Sequence, residues 1–127
     1  MSFILTDTGR EGHDLQLNAW HWRTILAILD SLAVLPKERI EIMGISGACP
    51  TLSREEARKI AGALQASVLP RFASDDRVFI DGTVTKERDD GTFYREEKDM
   101  HRNYSTNGEV LRKLCSFCES CGDFIIY

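Results

Sequence analysis

The stretch TNGEVLRKLCSFCESCGDFIIY, residues 106–127, predicts a helix that is followed by a buried strand. Residues 106–109 match a capping box, in which a hydroxyl and an acidic side chain satisfy free N–H groups at a helix start. Gly122 provides the stop, and residues 124–127 are an uninterrupted apolar run of the kind that lies inside a sheet. The helical spacing of apolar positions predicts burial of Val110, Leu111, Leu114, Cys118 and Cys121.

The amino-terminal part of the chain predicts a hairpin and a long helix. Residues 3–6 are β-prone, a turn-rich segment follows, and Leu15 and Leu17 then alternate with polar residues. From about residue 20 to residue 35, apolar side chains recur every three or four positions, and Asn18 is the expected N-cap. We therefore expect two paired strands and then a helix with one broad buried face.

The middle of the chain contains one ambiguous segment and one clear helix. Residues 39–45 alternate Ile with polar side chains but run into turn-forming residues, so they predict either a short strand or an irregular connection. Residues 53–56 match a second capping box, and the helix that follows is expected to end at Pro70. With the carboxy-terminal helix, the sequence predicts about three helices.

Residues 77–94 predict a β-hairpin. Residues 77–85 are rich in β-branched and aromatic side chains, and Asp89-Asp90-Gly91 separates them from residues 92–94 as a hairpin turn would. Together these elements predict a single globular α+β domain over residues 1–127, in which a mostly antiparallel sheet packs against about three helices.

Length and composition agree with one domain of this kind. The chain has 127 residues, of which 43% are hydrophobic and 28% charged, and these values exclude a disordered or low-complexity protein. No run approaches the roughly 18 apolar residues that span a bilayer, and residues 1–7 lack the pattern of a signal peptide. We therefore expect a cytoplasmic protein that does not enter a membrane.

The net charge of the chain is concentrated in one segment. Sixteen basic and twenty acidic residues give a net charge of −4, which argues against nucleic acid as a partner. Residues 75–99 hold nine of the acidic and five of the basic residues, so the rest of the chain balances at eleven of each. This segment would steer a basic partner toward it, although such segments are more often solvated hairpin surfaces.

Three cysteines, Cys115, Cys118 and Cys121, stand three residues apart on the predicted final helix. Each step of three turns the helix by about −60°, so the first and third sulfurs point about 120° apart, and one metal reaches both only if the helix breaks. The favoured interpretation is that these thiols fill space in the core, without a cofactor. Zinc held with Cys49 or His101, and a redox or nucleophilic use, stay open as alternatives.

No other motif assigns a catalytic residue. His13, His21 and His101 lie in separate elements and form no ligand pair of known spacing. The glycine-containing loop around Ser46 and Cys49 matches neither a nucleophile elbow nor a phosphate-binding loop. His21 lies between two tryptophans and is expected to face outward at a helix start, while one or both tryptophans pack in the core.

Two segments carry a resemblance to a known group of proteins. Together with the short amino-terminal strand, residues 18–22 (NAWHW) and 117–124 (FCESCGDF) resemble small single-domain bacterial proteins, some of which are immunity-type proteins of toxin systems. The resemblance covers the two ends of the chain and leaves the middle unmatched. It implies a stand-alone α+β domain that acts by binding another protein.

The favoured function is a non-catalytic, cytoplasmic protein-binding module. Its expected partner is a basic protein, because complementary charge speeds association and selects the partner. The acidic hairpin surface is expected to span residues 78–99, and its predicted contact residues are Asp89, Asp90, Glu96, Glu97 and Asp99. The alternatives are a zinc-binding domain built on the cysteines, and a small enzyme whose site lies near residues 46–49 or 20–22.

Overall fold

The computed structural model describes residues 2–127. The strands are β1 (Ser2–Asp7), β2 (Asp14–Asn18), β3 (Thr51–Leu52), β4 (Arg77–Phe79), β5 (Val84–Thr85), β6 (Ser105–Asn107) and β7 (Phe124–Ile126). The α-helices are α1 (Ala19–Ser31), α2 (Lys37–Met43), α3 (Arg54–Ala63) and α4 (Gly108–Ser120). A 3₁₀ helix spans Glu97–Asn103, and α3 continues through a π-helical turn (Leu64–Val68) and a 3₁₀ turn (Leu69–Arg71). No described helix is both long and apolar enough to cross a membrane.

The strands form two antiparallel sheets, which confirms the α+β class. The larger sheet has the order β2-β1-β7-β3, and the smaller one has the order β5-β4-β6. β1 and β2 pair from Ser2–Asn18 to Thr6–Asp14, as the predicted hairpin requires. β7 lies between β1 and β3, so the final apolar run lies inside a sheet as predicted.

One core joins the larger sheet to α1, α3 and α4. Its fully buried large side chains include Phe3, Leu5, Trp22, Leu64, Leu111 and Phe124. The Trp22 indole N–H donates to the carbonyl of Met43 at 2.9 Å, so this large side chain also satisfies its polar atom. α4 packs against α3, and Gly122 just after α4 lies beside Asp7 at the end of β1.

Two of the predicted helix starts are confirmed and one is wrong. Asn18 caps α1 by accepting from the backbone N–H of His21, and residues 53 and 56 form the reciprocal capping box of α3. The predicted capping box at residues 106–109 does not form, because Asn107 caps α4 by accepting from the N–H of Val110. Thr106 instead belongs to β6 and is buried.

The structure has five helical segments where the sequence predicts about three. Residues 39–45, predicted as a strand or an irregular connection, lie mainly in α2, which buries Ile40 and Met43 at a helical spacing. α1 ends at Ser31, before the predicted end at residue 35. Pro70 does not end α3 directly, because it lies near the start of the 3₁₀ turn, where its missing N–H is tolerated.

The hairpin predicted for residues 77–94 has its turn elsewhere. β4 pairs with β5 through residues 80–83, so the strand predicted to run from 77 to 85 folds back on itself. Gly82 has a φ of 91°, which favours glycine, and Asp81 accepts the N–H of Thr83. The other neighbour of β4 is β6.

Residues 86–96, which contain the predicted turn and second strand, form neither helix nor strand. Asp89 and Asp90 each accept the backbone N–H of the residue two positions later, and such local bonds compete with strand pairing. The backbone N–H and carbonyl of Tyr94 both bond to the side chain of Asn103. The acidic segment is therefore an irregular loop held by side chains.

Gly108 permits a close approach between α4 and the chain before β4. A Cβ at this position would overlap the carbonyl group of Ala73. The N–H groups of Gly108 and Glu109 donate to the carbonyls of Asp76 and Ser74 at 3.1 and 3.2 Å. Residues 73–76 are thereby held against the amino end of α4.

Candidate functional site

The five predicted contact residues lie along one segment, but this segment is not a hairpin. Asp89 and Asp90 belong to the irregular loop, whereas the other three flank or begin the 3₁₀ helix. Asp99 is half-buried. The exposed members are Asp89, Asp90, Glu96 and Glu97.

Basic side chains neutralise part of this segment. Lys86 Nζ lies 2.7 Å from Asp76 Oδ1, and this bond lowers the pKa of Asp76 and raises that of Lys86. Lys98 Nζ lies 3.4 Å from Glu96 Oε2. Within residues 2–127, no ion pair is formed by Asp89, Asp90, Glu97 or Asp99. Four of the five predicted contact residues therefore carry a carboxylate that is not neutralised by an ion pair among the described residues.

Exposed aromatic side chains stand beside these carboxylates. Trp20 is 41% exposed and Phe93 is 56% exposed, and their ring centroids lie 6.1 Å apart. The Tyr104 ring lies 4.9 Å from that of Trp20, and a cavity of about 200 Å³ is lined by Trp20, Phe93 and Asp89 and also by the cationic Arg102. Of the two tryptophans, only the second is thus in the core. We define Trp20, Asp89, Asp90, Phe93 and Tyr104 as the acidic–aromatic face.

His21 lies in a groove of about 330 Å³ beside this face, although the sequence predicts that it points outward. Its Nδ1 lies 3.0 Å from Thr106 Oγ1, and burial lowers the pKa of His21. In the same groove Arg77 Nε donates to Ser105 Oγ at 2.9 Å. The groove also carries acidic side chains, Asp89 among them, so its charge favours no single type of ligand.

The cysteines of α4 and its cap are core residues, as the favoured interpretation expects. Cys115, Cys118 and Cys121 are buried thiols, whereas Cys49 is exposed. Burial raises the pKa of all three, that of Cys115 to about 11, so they are protonated at neutral pH. In the described part of the chain, no three His, Cys, Asp or Glu side chains come together as a metal site requires.

The remaining residues that the sequence singles out are dispersed. Ser46 and Cys49 are exposed in the connection between α2 and β3, and over residues 2–127 neither side chain bonds to a histidine. His101 lies on the 3₁₀ helix, and its Nε2 is 3.4 Å from Asp81 Oδ2. These residues do not assemble into one site.

One arrangement joins residues that sequence reasoning did not connect. His13, in the turn of the β1–β2 hairpin, has its Nδ1 2.8 Å from Asp7 Oδ2 and its Nε2 3.3 Å from Ser120 Oγ. The bond from His13, together with the N–H groups of Gly9 and Gly122, lowers the pKa of Asp7. Because Ser120 is over a hundred positions from the other two and belongs to no motif, residue spacing gives no signal for this contact.

No protein-family model, curated protein or solved structure matches this chain. Its function therefore has to be argued from the contacts, burial and charge of its own residues.

Proposed function

We propose that this chain is a protein-binding module that presents the acidic–aromatic face to a basic partner protein. The observation that carries the proposal is the exposed Trp20–Phe93 pair, which lines one cavity with Asp89, the neighbour of Asp90 in the chain. Neither carboxylate forms an ion pair within residues 2–127. Binding interfaces are enriched in tryptophan, tyrosine and phenylalanine, and a few such anchors supply most of the binding energy. A face of this composition also needs a partner whose charge is opposite.

The aromatic part of the face supplies anchors that are already in place. Trp20 is held by α1 and by the ring of Tyr104, so it loses little conformational freedom when a partner binds. A lysine or arginine over an exposed ring adds a cation–π contact of about 0.5–1 kcal/mol. Truncation of such an anchor weakens binding by about 2 kcal/mol or more, which is roughly thirtyfold in Kd.

The acidic part of the face acts mainly on association. Residues 75–99 account for the whole net charge of −4, and Glu96, Glu97 and Asp99 extend the negative charge beyond the face. Exposed charges are screened by salt, so they contribute more to the association rate and to partner choice than to affinity. The proposal includes a cytoplasmic location and, from the resemblance of the chain ends, an immunity-type role in which binding is the action.

The test is affinity capture from the native cell extract, followed by Kd measurements on the purified captured protein. A face variant carries Trp20→Ala, Asp89→Asn and Asp90→Asn. A matched control carries Leu32→Ala, Asp30→Asn and Glu38→Gln, because these residues are also an exposed apolar side chain and two exposed acids.

We expect a basic partner that binds the control like the wild type and binds the face variant at least about thirtyfold more weakly. A partner that binds all three proteins equally, or that is lost from the control as well, would contradict the proposal.

A further inference from the structure

Asp7 at the end of β1, His13 in the β1–β2 turn and Ser120 at the end of α4 lie within hydrogen-bond distance of one another in that order. The Asp7 side chain is only 3% exposed, its Oδ2 lies 2.8 Å from His13 Nδ1, and its Oδ1 accepts the N–H of Gly9 at 2.9 Å. The opposite ring nitrogen, His13 Nε2, lies 3.3 Å from Ser120 Oγ. This order, through the two nitrogens of one imidazole, is the geometry that activates a serine as a nucleophile.

We propose that Ser120 is a nucleophile, that His13 is its general base and that Asp7 positions His13, in a site that takes the acyl group of a small carboxylic ester. This activity goes beyond protein binding and does not depend on the acidic–aromatic face.

Three contacts prepare His13 for this role. The buried Asp7 carboxylate holds the ring proton on Nδ1, which leaves Nε2 directed at Ser120. The ring of Phe117 lies 4.9 Å from the imidazole, so α4 fixes its position from a second side. The carboxyl end of α4 carries partial negative charge, which stabilises the imidazolium that forms when His13 accepts a proton.

Ser120 is the last residue of α4 and is exposed, so a substrate reaches its Oγ without a backbone movement. The hydroxyl has one proton and three acceptors within reach: His13 Nε2, the Ser116 carbonyl at 2.9 Å and the Phe117 carbonyl at 3.4 Å. The reactive state is the one in which rotation about the C–O bond directs the proton to Nε2.

An open groove of about 460 Å³ is lined by His13 and Ser120. It supplies walls for the acyl group and positive charge for the oxyanion. Leu15 and Phe117 form apolar walls that suit a small acyl group. Arg112 and Lys113 line the same groove together with Asp14 and Glu109, and Lys113 Nζ lies 3.4 Å from Glu109 Oε1. Arg112 is therefore the cation whose charge is left to stabilise the oxyanion that develops on the ester carbonyl. Arg112 is anchored by the carbonyl of Phe72 at 2.8 Å, so one of the two cations is held in place.

The chemistry balances in two steps. In the first, Ser120 Oγ bonds to the ester carbonyl carbon, the carbon–alkoxy bond breaks, and the hydroxyl proton passes through His13 Nε2 to the leaving alcohol. In the second, water bonds to the acyl carbon and the carbon–Oγ bond breaks, while His13 takes a proton from the water and returns it to Ser120.

The test uses a fluorophosphonate probe and p-nitrophenyl acetate on the full chain. With the probe, the Oγ–P bond forms, fluoride leaves and the serine proton goes to His13, so a single adduct maps to Ser120. The Ser120→Ala variant is expected to lose both the adduct and the ester hydrolysis. The matched control is Ser31→Ala, because Ser31 also ends an exposed helix turn and bonds a carbonyl, that of Ile28, but contacts no histidine in the described chain.

The roles of His13 and Asp7 are tested by the rate of labelling against pH. His13→Gln is expected to slow labelling about 100-fold or more. Asp7→Asn is expected to slow labelling as well, because His13 loses the carboxylate that holds its ring proton on Nδ1 and leaves Nε2 directed at Ser120. If either variant fails to fold, the labelling rate of the wild type against pH still tests the proposal. That rate must rise with pH, because a general base acts only in its deprotonated form. Folded wild-type protein that stays unlabelled at Ser120, or that labels at a rate independent of pH, would overturn the proposal.

Discussion

Replacement of Asp7 by asparagine is the perturbation whose effect the structure defines most fully. Asp7 is buried at the end of β1 and accepts from His13 Nδ1 at 2.8 Å and from the N–H of Gly9 at 2.9 Å. An asparagine keeps an acceptor for Gly9 but loses the charged bond to His13. A hydrogen bond to a charged group contributes about 1.5–3 kcal/mol, so we expect Asp7→Asn to lower the free energy of unfolding by that amount.

The effect of Asp7→Asn has a definite dependence on pH. The pKa of Asp7 is lowered in the folded protein by its bond to His13, so its contribution is fully present above the ordinary value of 3.8. That contribution is lost as the pH falls through the lower, folded-state pKa. The difference in stability between wild type and variant is therefore expected to persist at pH 5 and to shrink at pH 3.

The assay is urea unfolding followed by tryptophan fluorescence, since Trp22 is buried in the core. Asp14→Asn is the matched control, because Asp14 is an exposed acid on the neighbouring strand, and its replacement should stay within about 0.5 kcal/mol of wild type. Equal stability of Asp7→Asn and wild type at pH 5, or a difference that is the same at pH 3, would refute the reasoning.

Three further predictions concern the core and its contacts. Gly108→Ala is expected to destabilise the protein, because the overlap of the added Cβ with the Ala73 carbonyl costs more than the better helix propensity of alanine contributes. Thermal unfolding measures the effect against Gly62→Ala, a helix position where the added Cβ meets open space. A thiol reagent is expected to modify Cys49 rapidly in the folded protein and the three buried thiols only after unfolding, and rapid reaction of a second thiol would contradict this. Leu111→Ala is expected to lower the free energy of unfolding by about 2–5 kcal/mol, as measured by urea unfolding, whereas a loss below about 1 kcal/mol would contradict its place in the core.

The parts of the fold that follow from local patterns were predictable. The β1–β2 hairpin, the cap at Asn18 and the capping box of α3 depend on residues close together in the chain. The internal position of β7 agrees with its apolar run, because exposed edge strands more often carry charged side chains that discourage further pairing. Such features need no knowledge of distant neighbours.

The sequence-based predictions that were wrong or incomplete have identifiable physical reasons. α2 is only seven residues long, and Ile40 and Ile42 alternate with polar residues as they would in a strand, whereas the folded chain buries Ile40 and Met43 and leaves Ile42 37% exposed. In the irregular loop of residues 86–96, the side chains of Asp89 and Asp90 accept nearby backbone N–H groups, and these local bonds replace the expected strand pairing. The five contact residues were named from charge alone, and the sequence did not show that Trp20 and Phe93 meet beside them, since this contact depends on tertiary structure. For the same reason, the sequence did not show that Asp7, His13 and Ser120 come together.

The measurement that tests the acidic–aromatic face most directly is the association rate constant with the purified captured partner at low and at moderate salt. For the wild type we predict a rate at low salt at least about tenfold above that of the Asp89→Asn, Asp90→Asn double variant, with the difference shrinking as salt rises. The Asp30→Asn, Glu38→Gln control is predicted to associate like the wild type. Association rates that are the same for all three proteins, or equally insensitive to salt, would contradict the role of this face in binding.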